Sequence, residues 1–289
     1  MIRRGRCRFA VLAQLLVLVL VLVLALAAGR VPQAAGSASA ESDRAGPYRL
    51  QSARETAILA SGLLLGAIAL EIDRERAPLD SARIARLDAA GLHDLDRFAT
   101  RFWSPRASDA SNLLVWSLAL APLVSPLLPE GRDEPLTPIT MYAETMLWTN
   151  ASAQLLKACF ARPRPFVYST DPAIPEGEKL SADARRSLPS SHAANAFAAA
   201  TFLGTVGADL APDSRARGWI WAGSLTVATS TALLRVVSGE HFPSDVVAGA
   251  ALGAAAGILI PLVHHEGGGS GDRPGSESPP AMLTVRFAF

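Results

Sequence analysis

Cysteine is scarce: the 289 residues hold two, Cys7 and Cys159, with no Cys-x-x-Cys pair and no zinc-type spacing. That excludes a disulfide framework and a structural metal finger. Charge is scarce as well, at 18% of residues with a net of +1. Lysines and arginines are scattered among acids rather than gathered in a stripe, so the electrostatic footprint of a nucleic-acid binder is absent. Strand-like alternation is nearly missing, and a β-barrel would need many such segments.

What remains is apolar. Half of the residues are hydrophobic and mean hydropathy is positive, high for a soluble protein and modest for a polytopic membrane protein. Apolar runs occupy Thr56–Leu70, Leu113–Leu128, Ile139–Leu156, Ala193–Leu210, Trp219–Leu234 and Val246–Val263. They predict an all-α, antiparallel bundle of about six apolar helices, membrane-associated. Leu92, Leu95, Phe98 and Phe102 recur at helical spacing and predict an amphipathic surface helix.

Arg3, Arg4, Arg6 and Arg8 precede an apolar run from Phe9 to Ala28, and Ala38-Ser39-Ala40 offers a small-x-small cleavage site. This reads as a signal peptide or a retained N-terminal anchor, and either gives a bacterial-type envelope address. The expected organisation is a targeting segment over 1–40, a linker over 41–54, a helical domain over 55–265, and a Gly/Ser/Pro tail over 266–289. Residues 282–289 alternate like one short strand.

Three phrases between residues 157 and 245 carry the chemistry: Lys157 with Arg164-Pro165, Pro189-Ser190-Ser191-His192, and Arg235 with His241 and Asp245. Each sits where an apolar run ends or begins. Helices that alternate in direction therefore deliver all three phrases to one end of the bundle. Lys157, Arg164 and Arg235 can surround the oxygens of a phosphate. The Pro189–His192 turn opens a helix, whose free N–H groups can hold an oxyanion; Ser190 also fits an N-cap. His192 suits a general acid and His241 a nucleophile, with Asp245 placed to accept the Nδ1 proton of His241. Arg162 reads as part of a rigid loop. Arg185 and Arg186 fit a substrate contact or solvated loop charge equally. His264 and His265 resemble a metal pair but fit a helix C-terminus better.

These phrases resemble the signature of the type 2 phosphatidic acid phosphatase and vanadium-dependent haloperoxidase superfamily: Lys-x6-Arg-Pro, Pro-Ser-Gly-His and Ser-Arg-x5-His-x3-Asp. The likeness covers about Ile139–Val263, with motif core 139–263. Ser191 stands at the usual glycine and Leu234 at the usual serine. The resemblance implies His241, His192 and Asp245 as catalytic residues, and Lys157, Arg164, Ser190, Ser191 and Arg235 as phosphate ligands. It implies metal-independent hydrolysis of a phosphate monoester or diphosphate, with no cofactor. A membrane-borne lipid phosphate is the expected substrate, with no protein partner. A soluble periplasmic acid phosphatase, a haloperoxidase and an inactive envelope scaffold are the competing readings. The expected location is the inner membrane with a periplasm-facing site, which requires the short Thr56–Leu70 run to lie in the interface or pack within the domain.

Overall fold

The computed structural model describes residues 47–123, 135–207, 209–210 and 214–265. The expected N-terminal targeting segment, the end of the 113–128 run and the terminal alternating stretch lie outside the described residues. Helix α1 spans Ser52–Arg74, followed by the single turns α2 (Ser81–Ile84) and α3 (Asp94–Arg97). Then come α4 (Pro105–Leu120), α5 (Leu136–Phe160) and the single turn α6 (Glu176–Lys179). The last three are α7 (Ser191–Phe202), α8 (Ser214–Val237) and α9 (Pro243–His264). The fold is all-α, and among the described residues extended pairing is limited to one isolated bridge, Tyr48 with His265.

Local chemistry explains the boundaries. Ser104 accepts the Ala107 N–H at 3.2 Å and Pro105 follows it, so α4 starts eight residues before the apolar run does. The run at 56–70 is the middle of a 23-residue helix. Along with α8 and α9, α1 is long and apolar enough to cross a membrane. That removes the reason for treating it as a short interfacial piece. The expected amphipathic helix at 92–102 is broken into α3 and a 3₁₀ turn, with Leu95 and Phe98 exposed. The cause is local capping: Asp88 accepts the Ala90 N–H and His93 the Leu95 N–H, which interrupts continuous helix.

Helix α7 is the hub and packs on α9, α8, α4 and α5. Its Ala193, Ala194, Ala196, Ala198, Ala199 and Ala200 are fully buried. Opposite them α9 presents Gly249, Gly253 and Gly257, where an added Cβ would meet α7 backbone oxygens at 2.4, 1.9 and 2.4 Å. Small residues at four-residue spacing let the two backbones touch. The outer faces are apolar, with Leu63 on α1, Leu113 and Trp116 on α4, Trp219 and Leu233 on α8, and Val247 on α9 all exposed. In water such a surface would be unusual for a monomer.

Candidate active site

Among the described residues, the six long helices alternate in direction. Ser104 before α4 pairs with Ser238 after α8, whereas Tyr142 near the start of α5 reaches Ala119 at the end of α4. The end of α5, the start of α7, the end of α8 and the start of α9 therefore share one end of the bundle. Helix α5 stops because Ala161 adopts a left-handed conformation (φ 43°), turning the chain toward Arg162–Arg164. After α8, Gly239 (φ 76°) makes the turn that presents Glu240 and His241. A Cβ there would lie 2.1 Å from the Phe102 carbonyl oxygen, so only glycine fits.

These ends enclose an open cavity of ≈ 420 Å³. Lys157, Arg164, Ser191, His192, Arg235 and His241 line it, six of the eight residues singled out in the sequence. Ser190 is buried and caps α7 through the Ala193 N–H, while Ser191 lines the cavity and its buried hydroxyl has no hydrogen-bond partner. Asp245 lies behind the cavity wall. Lys157 Nζ donates to the Arg186 carbonyl at 2.6 Å. Arg235 donates to Ser108 and Ser111 hydroxyls at 3.0 and 3.2 Å. Glu240 bridges Arg164 and Arg235, and Asp183 pairs with Arg164. His192 Nε2 meets Asn112 Oδ1 at 2.7 Å; an amide oxygen only accepts, so Nε2 carries hydrogen.

The support of His241 differs from expectation. Its Nδ1 lies 2.8 Å from the Ser187 carbonyl oxygen and 3.9 Å from Asp245. The carbonyl is the acceptor that fixes the tautomer, and Nε2 keeps its lone pair. Asp245 cannot take that proton because other donors hold it: Ser187 Oγ at 2.5 Å, the Phe242 N–H at 2.9 Å and Arg162 at 2.6 Å. Arg162 is more than loop rigidity. It also donates to Asp96 at 2.8 Å and to Ser244 at 2.8 Å, and its guanidinium carbon sits 4.1 Å above the Phe242 ring. Asp96 in turn accepts from Ser244 Oγ and N at 2.7 and 3.1 Å. A chain of contacts thus runs from Asp96 through Arg162 and Asp245 to Ser187, whose carbonyl holds His241.

Four cations face two carboxylates across the cavity. Burial and the charges of Arg235, Arg164 and Lys157 push His192 down to about 3. Burial, then Arg164, Lys157 and Arg235, hold His241 well below the ordinary imidazole range. Both rings are therefore neutral near pH 7. Arg185 is buried and paired with Asp73, so it is structural, whereas Arg186 lines the cavity and pairs with Gln154. His264 lies at the far end, buried against Glu55 and Glu144.

Four cations around two neutral imidazoles form the arrangement expected for a phosphate site. Residues 138–268 match the PAP2 superfamily. The PAP2 match contains every singled-out residue. The chain is similar to the decaprenylphosphoryl-5-phosphoribose phosphatase of Mycobacterium tuberculosis, 34% identical over 120 residues, 42% of this chain and 56% of that protein. It is also similar to the lipid A 1-phosphatase of Porphyromonas gingivalis, 38% identical over 76 residues, 26% of this chain and 16% of that protein. The chain thus spans about half of the mycobacterial relative and less than a fifth of the other. No solved structure matches it.

Proposed function

We propose that this PAP2 chain is a phosphatase acting on the phosphate monoester or diphosphate of a lipid, through a phosphohistidine on His241. The convergence of Lys157, Arg164 and Arg235 on the cavity that holds His192 and His241 carries the reading. Three cations and the first N–H groups of α7 would hold the non-bridging oxygens, supplying the charge that metal ions give other phosphatases. His241 Nε2 attacks phosphorus, forming a P–N bond as the P–O bond to the lipid breaks. His192 gives its proton to the departing oxygen. Water then attacks the phosphohistidine while neutral His192 takes its proton, and free phosphate leaves.

The free site keeps His192 neutral, so its acid role depends on the substrate. A bound phosphate offsets the cations that push the ring's affinity for protons down. Glu240 supports the same reading from the other side, since its carboxylate sits between two guanidiniums that a phosphate would otherwise bridge.

The apolar outer faces and three membrane-length helices support an amphiphilic substrate over a soluble ester. So do the names of the relatives, both phosphatases of lipid-linked compounds. The proposed location is a bacterial envelope membrane, with the cavity toward the periplasm.

The test is phosphate release by detergent-solubilised full chain from a panel of lipid phosphates, lipid diphosphates and aryl phosphates, with EDTA in the assay. Turnover should persist with EDTA, be blocked by vanadate, and vanish in His241→Ala. His192→Ala should slow lipid esters more than aryl phosphates, whose leaving groups need little protonation. Activity restored only by added magnesium or zinc would overturn the mechanism. Equal losses on both substrate types would remove the acid role of His192.

A further inference from the structure

At the end of the bundle away from the cavity, three helices aim ionisable side chains at one point. Glu55 comes from the first turn of α1, Glu144 from the third turn of α5, and His264 from the last residue of α9. One ligand atom from each lies within 4.8 Å of the other two. The point is about 20 Å from the cavity, given the helical rise between Glu144 and Lys157. It plays no part in the mechanism above.

The three side chains are held in an order that makes sense around a cation. His264 Nδ1 lies 2.7 Å from the Ile260 carbonyl, an obligate acceptor, so Nδ1 carries the hydrogen and Nε2 points inward. A backbone carbonyl on the second nitrogen is the usual support of a metal-bound histidine. Glu55 is treated the same way. Its Oε1 accepts from Gln51 N at 2.7 Å and from Arg54 at 3.1 and 3.3 Å, which leaves Oε2 directed at His264 Nε2, 2.9 Å away. Glu144 is fully buried, and both of its oxygens lack a hydrogen-bond partner. Its Oε2 lies 3.2 Å from Nε2.

A carboxylate buried without a donor is costly, by several kcal/mol. One proton on Nε2 is shared between Glu55 and Glu144, at 2.9 and 3.2 Å, and still leaves Glu144 Oε1 without a donor. A cation among the three atoms satisfies all of them at once. The separations of 2.9 and 3.2 Å match the edge of a coordination polyhedron with bonds of about 2.1 Å, roughly 3 Å. We infer that Glu55, Glu144 and His264 form a structural site for a divalent first-row transition ion, fastening α1, α5 and α9 together at the end opposite the active cavity. One imidazole and two carboxylates are a mixed nitrogen and oxygen set that suits zinc or manganese rather than magnesium or calcium. Glu55 is the most accessible of the three, its side chain 11% exposed.

The test uses the full chain in detergent, stripped with chelator and titrated with Zn²⁺ by calorimetry, with thermal unfolding followed in parallel. The expected result is one Zn²⁺ per chain and a raised Tm. Glu144→Gln and Glu55→Gln should each weaken binding by at least about 10-fold, the lower end of what even an outer-shell partner costs. His241→Ala should bind Zn²⁺ like the wild type, which separates this site from the phosphate cavity. No binding, or undiminished binding in Glu144→Gln, overturns the inference. Should that variant not fold, X-ray absorption at the zinc edge of the wild type decides: one imidazole among oxygen ligands is expected, and a sulfur ligand or several imidazoles would sink the idea.

Discussion

Asp96 touches no residue that lines the cavity, yet three hydrogen bonds from Arg162 and Ser244 tie it to the wall behind His241. Burial alone would raise its carboxyl; the bonds from Ser244 and Arg162 outweigh that and hold it below the usual carboxylate range. Asp96→Asn should therefore loosen Arg162, free Asp245 and let the Ser187 carbonyl drift from His241. The expected loss in kcat/KM is about 10- to 100-fold, the scale of a misplaced catalytic group. KM for the same substrate should change little, because the three cations proposed to hold phosphate do not touch Asp96. A loss confined to KM would contradict the positioning role. His192 offers a second measurement. In ¹⁵N-histidine spectra, assigned by loss of the signal in His192→Asn, its ring should stay neutral to about pH 4 in the free protein. With vanadate bound among the cations it should take up a proton at least about 2 pH units higher. A midpoint near 6.5 in both states would remove the charge argument. Glu240→Gln should also bind vanadate more tightly than the parent, since the anion then displaces no carboxylate; weaker binding would mean that Glu240 orders the arginines instead.

Among helices, the α7–α9 contact sets how near His192 comes to His241. In a helix, glycine to alanine ordinarily gains about 0.5–1 kcal/mol. At Gly253 the new methyl would stand 1.9 Å from the Ala194 oxygen, and overpacking of that kind costs about 1–3 kcal/mol, so the sign reverses. Gly253→Ala should lower Tm and activity together, whereas Gly223→Ala on α8, with nothing within 4 Å, should leave both unchanged or raise Tm. Equal effects at the two positions would refute this packing account. The same contact explains what could be read from the chain alone. Lys157, Arg164, His192, Arg235 and His241 sit at helix ends that alternation must bring together, and apolar runs mark those ends. Asn112 and Ser108 come from α4, whose start hides in a polar stretch capped by Ser104. Asp96 comes from a segment broken by local caps. Glu55, Glu144 and His264 meet only through the tertiary packing of three helices, and no spacing along the chain records it.

For the molecule as a whole, α1 decides the orientation. It runs from the Tyr48 end toward the cavity end, where Asp73 pairs with Arg185. In the proposed orientation, with the cavity toward the periplasm, Tyr48 and His265 therefore lie on the cytoplasmic side. With Cys7 and Cys159 changed to serine, single cysteines at 170–186 should react with an impermeant thiol reagent on intact cells. A cysteine at Gly46 or Pro47 should react only after lysis. The reverse pattern would place the cavity in the cytoplasm. The bridge between Tyr48 and His265, with Arg49 N bonded to the His264 oxygen at 3.0 Å, has a further consequence. The two ends of the helical domain are already neighbours, and α4 finishes and α5 starts at that same end of the bundle. A circular permutant that joins 265 to 47 through a short linker and opens the chain between 123 and 135 would keep every helix direction and leave the cavity intact, so the order in which these helices are synthesised is separable from the site they build.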